Sequence, residues 1–109
     1  MNLRFAANSI RVRVTTEEFA DLCKGKSMGL DVLMPRGHAF RLKLNPSSAA
    51  EWRFDSDPTG LWLGVPRTEL IGLAQQLPSR QGITHGFATG HSELQISLEV
   101  DVKSGSKQA

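Results

Sequence analysis

The chain has 109 residues, with 13 Lys+Arg against 11 Asp+Glu and a formal charge of +2. Its length is that of one domain, and 39% apolar with 22% charged residues excludes disorder, collagen-like repeats and disulfide-dense scaffolds. So small a surplus of bases does not by itself imply nucleic acid. The single cysteine, Cys23, excludes an intrachain disulfide and fits a reducing compartment.

Strict apolar–polar alternation dominates, the pattern of half-buried strands. Leu3 and Phe5 face one way and Arg4 the other. Ile10, Val12 and Val14 alternate with Arg11 and Arg13, after a turn at Ala7-Asn8-Ser9. No continuous apolar stretch marks a signal peptide or membrane span, so a soluble cytoplasmic protein is expected. Thr15 with Glu18 three residues later forms a capping box. Phe19, Leu22 and Cys23 then recur at helical spacing, and Gly25 ends that helix. Leu30, Val32 and Met34 precede a turn at Pro35-Arg36-Gly37, and Phe40, Leu42 and Leu44 then alternate with Arg41 and Lys43. Asn45-Pro46-Ser47-Ser48 reads as a loop. Trp52 and Phe54 flank Arg53, Asp55 to Gly60 reads as a turn, and Leu61, Leu63 and Val65 form another strand around Trp62. Pro66 suits a first helical turn; Leu70, Leu73, Ala74 and Leu77 follow at helical spacing, and Pro78 ends that helix. The last hairpin runs from about Ile83 to Phe87, turns at Thr89-Gly90 and returns through Leu94, Ile96, Leu98 and Val100. Residues 103–109 read as a flexible tail.

The fold class this predicts is α+β: about eight mostly antiparallel strands and two helices. The order strand, strand, helix, strand, strand occurs twice, so residues 1–102 read as one domain with an internal repeat, 1–45 and 50–102. Val14, Glu18, Phe19, Leu22 and Cys23 match Val65, Glu69, Leu70, Leu73 and Ala74, and Leu3-Arg4-Phe5 is set against Trp52-Arg53-Phe54. The pattern leaves open whether the sheet stays open in two layers or curls into a barrel.

The opening Leu3-Arg4-Phe5, the run Asn8-Ser9-Ile10-Arg11-Val12-Arg13-Val14-Thr15, and Glu18 and Leu22 resemble a small bacterial domain-of-unknown-function family. Its members begin with an Arg-containing strand, an Asn-Ser-Ile-Arg turn and a Thr- or Ser-capped helix. The resemblance extends to Leu94-x-Ile96-x-Leu98-Glu99 and implies no activity and no site residues. Counted from the second strand, the element order also resembles the duplicated plan of the triphosphate tunnel (CYTH-like) barrels. That resemblance implies a basic channel and a divalent metal, for which Glu99 and Asp101 have carboxylate spacing but lie on the last strand rather than the first.

Six strand cations, Arg4, Arg11, Arg13, Arg41, Lys43 and Arg53, fall on one polar face together with Trp62. Arginine offers a planar fork suited to phosphate or carboxylate, and an exposed indole suggests a covering ligand. The alternative is a solvated face of cross-strand pairs with Glu99, Asp101 and Asp31. Other motifs read as structural. Gly25-Lys26-Ser27 follows a helix and lacks the glycine five residues earlier that a phosphate loop needs. Cys23 reads as a small buried core residue. His38, His85 and His91 have no Cys or carboxylate at ligand spacing. No catalytic residue and no cofactor is assigned.

Three functions stay open. The first is a non-enzymatic module whose Arg-rich face takes an anionic small molecule or an acidic partner protein. The second is a phosphohydrolase using Glu99 and Asp101 for metal. The third is a structural homodimer through Trp62 and Leu33. Membrane is not an expected partner, and nucleic acid is disfavoured because the chain has no Tyr and lacks interleaved basic and aromatic residues.

Overall fold

The structure, a computed structural model, describes residues 1–78 and 82–101; the expected tail at 103–109 lies outside them. Among the described residues eight strands and two helices follow in the expected order: β1 (Asn2–Ala6), β2 (Ser9–Thr15), α1 (Thr16–Cys23), β3 (Met28–Leu33), β4 (Ala39–Ser47), β5 (Arg53–Asp57), β6 (Gly60–Pro66), α2 (Arg67–Gln76), β7 (Ile83–Ala88) and β8 (Glu93–Asp101). They build two mixed four-stranded sheets, β1-β2-β8-β7 and β3-β4-β6-β5. The barrel alternative is therefore corrected. Closure needs an unbroken ladder, whereas each sheet ends in two edge strands. The expected single polar face is corrected with it, because the strands that carry it divide between two sheets.

The described residues separate into two compact units, residues 1–20 with 72–78 and 82–101, and residues 21–71. The first holds β1-β2-β8-β7. Hairpins β1–β2 and β7–β8 are antiparallel, and β2 runs parallel to β8. A parallel pair cannot be closed by a tight turn, so its two strands come from opposite ends of the chain. Along it, Ile10, Val12 and Val14 oppose Ile96, Leu98 and Val100 in register, and all six are buried. The second unit repeats the plan: hairpins β3–β4 and β5–β6 flank a parallel β4–β6 pair with Leu42 opposite Leu61 and Leu44 opposite Leu63. The two parallel ladders have the same register. Where Val12 opposes Leu98 in one sheet, Leu63 opposes Leu44 in the other. This equates Leu3, opposite Val12, with Phe54, opposite Leu63, two residues from the alignment expected from sequence.

Two expected loops are strand. Asn45, Pro46 and Ser47 continue β4 along β6. Pro46 is tolerated there because β3 pairs only as far as Leu44, so its missing N–H falls where β4 has a neighbour on one side. Asp55, Ser56 and Asp57 belong to β5, and the turn is only Pro58-Thr59. Asp57 Oδ1 fixes that turn, accepting from both the Thr59 N–H and hydroxyl at 2.6 Å. These bonds hold the Asp57 carboxyl below the usual range. Gly60 opens β6 by necessity, since a Cβ there would lie 2.1 Å from the Arg41 carbonyl oxygen.

The capping box forms as its residues dictate. The Thr15 N–H donates to Glu18 Oε1 at 2.8 Å, and the Glu18 N–H donates to Thr15 Oγ1 at 3.0 Å. Burial pushes the Glu18 carboxyl up, but these bonds and the Met1 ammonium at 3.0 Å outweigh it and hold the pKa low. Phe19 and Leu22 of α1 and Leu70 and Leu73 of α2 are buried. Replacing Thr15 with Ala removes the side-chain acceptor for the first turn of α1. The expected outcome is a loss of about 1 kcal/mol, read as a lower urea midpoint with an unchanged slope.

Candidate functional site

In the first unit the alternation of β2 places Arg11 and Arg13 opposite to the buried valines, on the face that also carries Glu99 of β8. Arg11 grips that carboxylate with two bonds, Nε to Oε2 at 2.8 Å and Nη2 to Oε1 at 3.0 Å, and Arg13 Nη2 reaches Oε1 at 3.4 Å. Glu99 is only 5% exposed. Burial pushes its pKa up, and the hydrogen bonds and charges of Arg11 and then Arg13 outweigh this and hold it below the usual carboxylate range. The arrangement is a closed ionic clasp across β2 and β8. Arg4, exposed on edge strand β1, lies directly opposite Arg11. The clasp counts against Glu99 as a metal ligand, because both oxygens are already taken by guanidinium. Asp101, its expected partner, stands opposite Thr15 on the same face. Among the described residues no group of three or more His, Cys, Asp or Glu is placed to hold a metal ion.

In the second unit the corresponding face carries the other cations. Its rows, read across β3, β4, β6 and β5, are Asp31–Arg41–Gly60–Asp57 and Gly29–Lys43–Trp62–Asp55, with Asn45–Gly64–Arg53 beyond. Arg41 Nε lies 3.3 Å from Asp31 Oδ1, an exposed pair of little energetic weight. Lys43 and Arg53 are exposed and have no acidic partner among the described residues. Trp62 is half-buried between Lys43 and Asp55. Beside it opens a depression of about 570 Å³ lined by Asn45, Ser47, Arg53, Asp55, Trp62 and Gly64 among others. Asp55 Oδ1 accepts the Ser56 N–H at 2.9 Å, and Ser47 Oγ accepts the Ala49 N–H at 3.0 Å, so both groups are held in place.

The seven residues expected to bind an anion thus divide, with Arg4, Arg11 and Arg13 in one unit and Arg41, Lys43, Arg53 and Trp62 in the other. Asn45, Ser47, Asp55 and Gly64 were not singled out from sequence as site residues. Gly64 carried a signal, being a glycine inside an otherwise regular strand.

Other candidates are placed as follows. Cys23 is exposed at the end of α1 and not in the core, a correction, and burial of its surroundings raises its thiol pKa, away from a reactive thiolate. Gly25-Lys26-Ser27 runs from α1 into β3, the reverse of the order a phosphate loop needs. The His85 ring meets the Phe87 ring edge-on at 4.9 Å, while His38 and His91 lie in exposed turns. Leu33, 75% exposed, shares a face with Trp62 but lies about 13 Å along and about 10 Å across the sheet. The Arg41–Asp31 pair intervenes, so the two make no continuous apolar patch.

A family profile matches residues 1–107. The chain belongs to DUF7009, a family of unknown function. No curated protein is similar to this DUF7009 chain at a significant level. No described helix is long and apolar enough to cross a membrane.

The ionic clasp ties stability to pH. A carboxyl whose folded pKa is depressed contributes stability above its unfolded pKa, and this is lost as pH falls through the folded value. Glu99 and Glu18 both act in this sense. Glu99→Gln is expected to cost about 1–2 kcal/mol at pH 7, modest for a charged hydrogen bond because the arginines stay partly hydrated. It should also flatten the loss of stability below about pH 5, both read from urea midpoints across pH 3–7.

Proposed function

We propose that this DUF7009 protein is a non-enzymatic binding module that holds an anionic small molecule on the polar face of β4, β5 and β6. The carrying observation is the contrast between the cations of the two polar faces. In one sheet Arg11 and Arg13 are both held by the Glu99 carboxylate. In the other, Lys43 stands beside the Trp62 indole and Arg53 lines the open depression, both without an acidic partner among the described residues. Arginine suits carboxylate or phosphate because its fork offers two parallel donors. Lys43 adds a point charge one strand away from the indole. The depression has the size of a small-molecule site.

The matched registers support a second inference, that the chain is a duplicated ββαββ unit. Val14 and Val65, Glu18 and Glu69, and Leu22 and Leu73 then stand at equivalent places. On that reading one copy kept its face for an internal ion cluster and the other opened it to a ligand.

Calorimetric titration with citrate tests the binding reading. The intact chain is expected to bind with an affinity that falls as salt rises. Arg53→Ala and Lys43→Ala should each weaken it at least fivefold, whereas Arg4→Ala in the other unit should leave it unchanged. Binding that survives Arg53→Ala intact, or no binding of any small carboxylate probe by the intact chain, rejects the reading.

A further inference from the structure

Gly64 is not explained by the fold. It sits inside β6, between Leu63 and Val65, in a strand with neighbours on both sides. Glycine weakens a strand interior, because it has more freedom to lose and no side chain to pack. Elsewhere in the same sheet glycine is forced: a Cβ on Gly60 would overlap the Arg41 carbonyl oxygen, and one on Gly29 would lie 2.9 Å from the Leu42 carbonyl oxygen. At Gly64 the nearest atoms to an added Cβ are the Arg53 Cβ at 3.6 Å and the Arg53 carbonyl oxygen at 3.9 Å, both ordinary contacts. Its backbone lies outside the left-handed region. Neither packing nor conformation asks for glycine there. Its consequence is an uncovered patch of backbone in the depression, beside the Trp62 indole.

The lining chemistry narrows what could lie on that patch. A polyphosphate is satisfied by donors alone. This lining instead mixes donors and acceptors: the Arg53 guanidinium, the Asn45 amide, the Ser47 and Ser48 hydroxyls and the Asp55 carboxylate. The register puts Arg53 level with Gly64, and Asp55 level with Trp62, one row along. A carboxylate accepts only, so a ligand group that meets Asp55 must donate. Hydroxyls donate and accept, and one carboxylate on the ligand would engage Arg53 bidentately. An indole offers a flat apolar wall for the C–H face of a ring.

We propose that the depression binds an acidic monosaccharide unit of the uronic-acid type. Its ring lies over Gly64 against Trp62, its carboxylate is on Arg53, and its hydroxyls are on Asp55 and Asn45. This rests on the anion-binding reading above and specifies the ligand class of the same site. Gly64 is then the aperture that sets specificity for a flat ring.

The test is calorimetric titration of the full chain with glucuronate, glucose and citrate, for the intact protein, Gly64→Val, Gly64→Ser and Arg53→Ala. The intact protein is expected to bind glucuronate at least tenfold more tightly than glucose. Gly64→Val, whose β-branched side chain suits a strand, should melt no lower than the intact protein and bind glucuronate at least tenfold more weakly. Gly64→Ser repeats that comparison if the valine variant fails to fold. Arg53→Ala should erase the preference for glucuronate over glucose. Equal binding of glucose and glucuronate by the intact protein overturns the proposal, as does undiminished glucuronate binding by the folded Gly64 variants. Binding of citrate without glucuronate overturns the sugar assignment and leaves the anion reading standing, and binding of none of the three probes overturns both.

Discussion

Each sheet depends on its central parallel pair. A parallel ladder cannot be closed by a two-residue turn, so β2 must find β8 from the far end of the sequence, and β4 must reach β6 past an intervening strand. Ordering such distant segments costs chain entropy. The offset is the burial of six aliphatic side chains in register along β2 and β8, and of leucines along β4 and β6. The antiparallel hairpins then add β1, β7, β3 and β5 as local outgrowths. Loss of the parallel pairs would leave four isolated hairpins, each marginal in water.

The common register lets the two polar faces be compared position by position. Beside the parallel pair of the first sheet stand Arg11 with Ser97 and Arg13 with Glu99. At the matched places of the second stand Trp62 with Lys43 and Gly64 with Asn45. Three changes convert a closed face into an open one: the carboxylate becomes a neutral amide, one arginine becomes an indole, and the other becomes glycine. The first face spends its charge internally, since Glu99 takes both guanidinium groups. The second leaves Lys43 and Arg53 uncommitted and lowers the floor between them. The difference lies in side chains alone, on backbones that pair in the same way.

Much of the architecture was legible because local periodicity reports burial directly. Ile10-x-Val12-x-Val14 and Leu94-x-Ile96-x-Leu98 can bury one face only as strands, and Thr15 with Glu18 can cap only a helix start. Loops were less legible where propensity and pairing disagree. Asn45-Pro46-Ser47 has loop composition, but β6 offers a partner on the one side where Pro46 needs no N–H. Asp55 to Asp57 is polar enough for a turn, but it pairs along β6 as an edge strand, where charges are favoured. Cys23 follows the buried stripe in sequence but ends its helix, where the stripe meets solvent.

By itself the sequence determined the number, order and type of the elements, the capped start of α1 and the face on which each strand cation would stand. Those properties follow from neighbours two to four residues apart. Which cations share a surface was decided only by tertiary pairing, because the choice of β8 for β2 and β6 for β4 is made between residues far apart in the chain. That pairing turned one expected basic face into two, tied Arg11 and Arg13 to Glu99 on the first, and gathered Arg53, Asp55, Trp62 and Gly64 on the second. The overall charge of +2 is silent on all of this, since it counts charges without saying which of them meet.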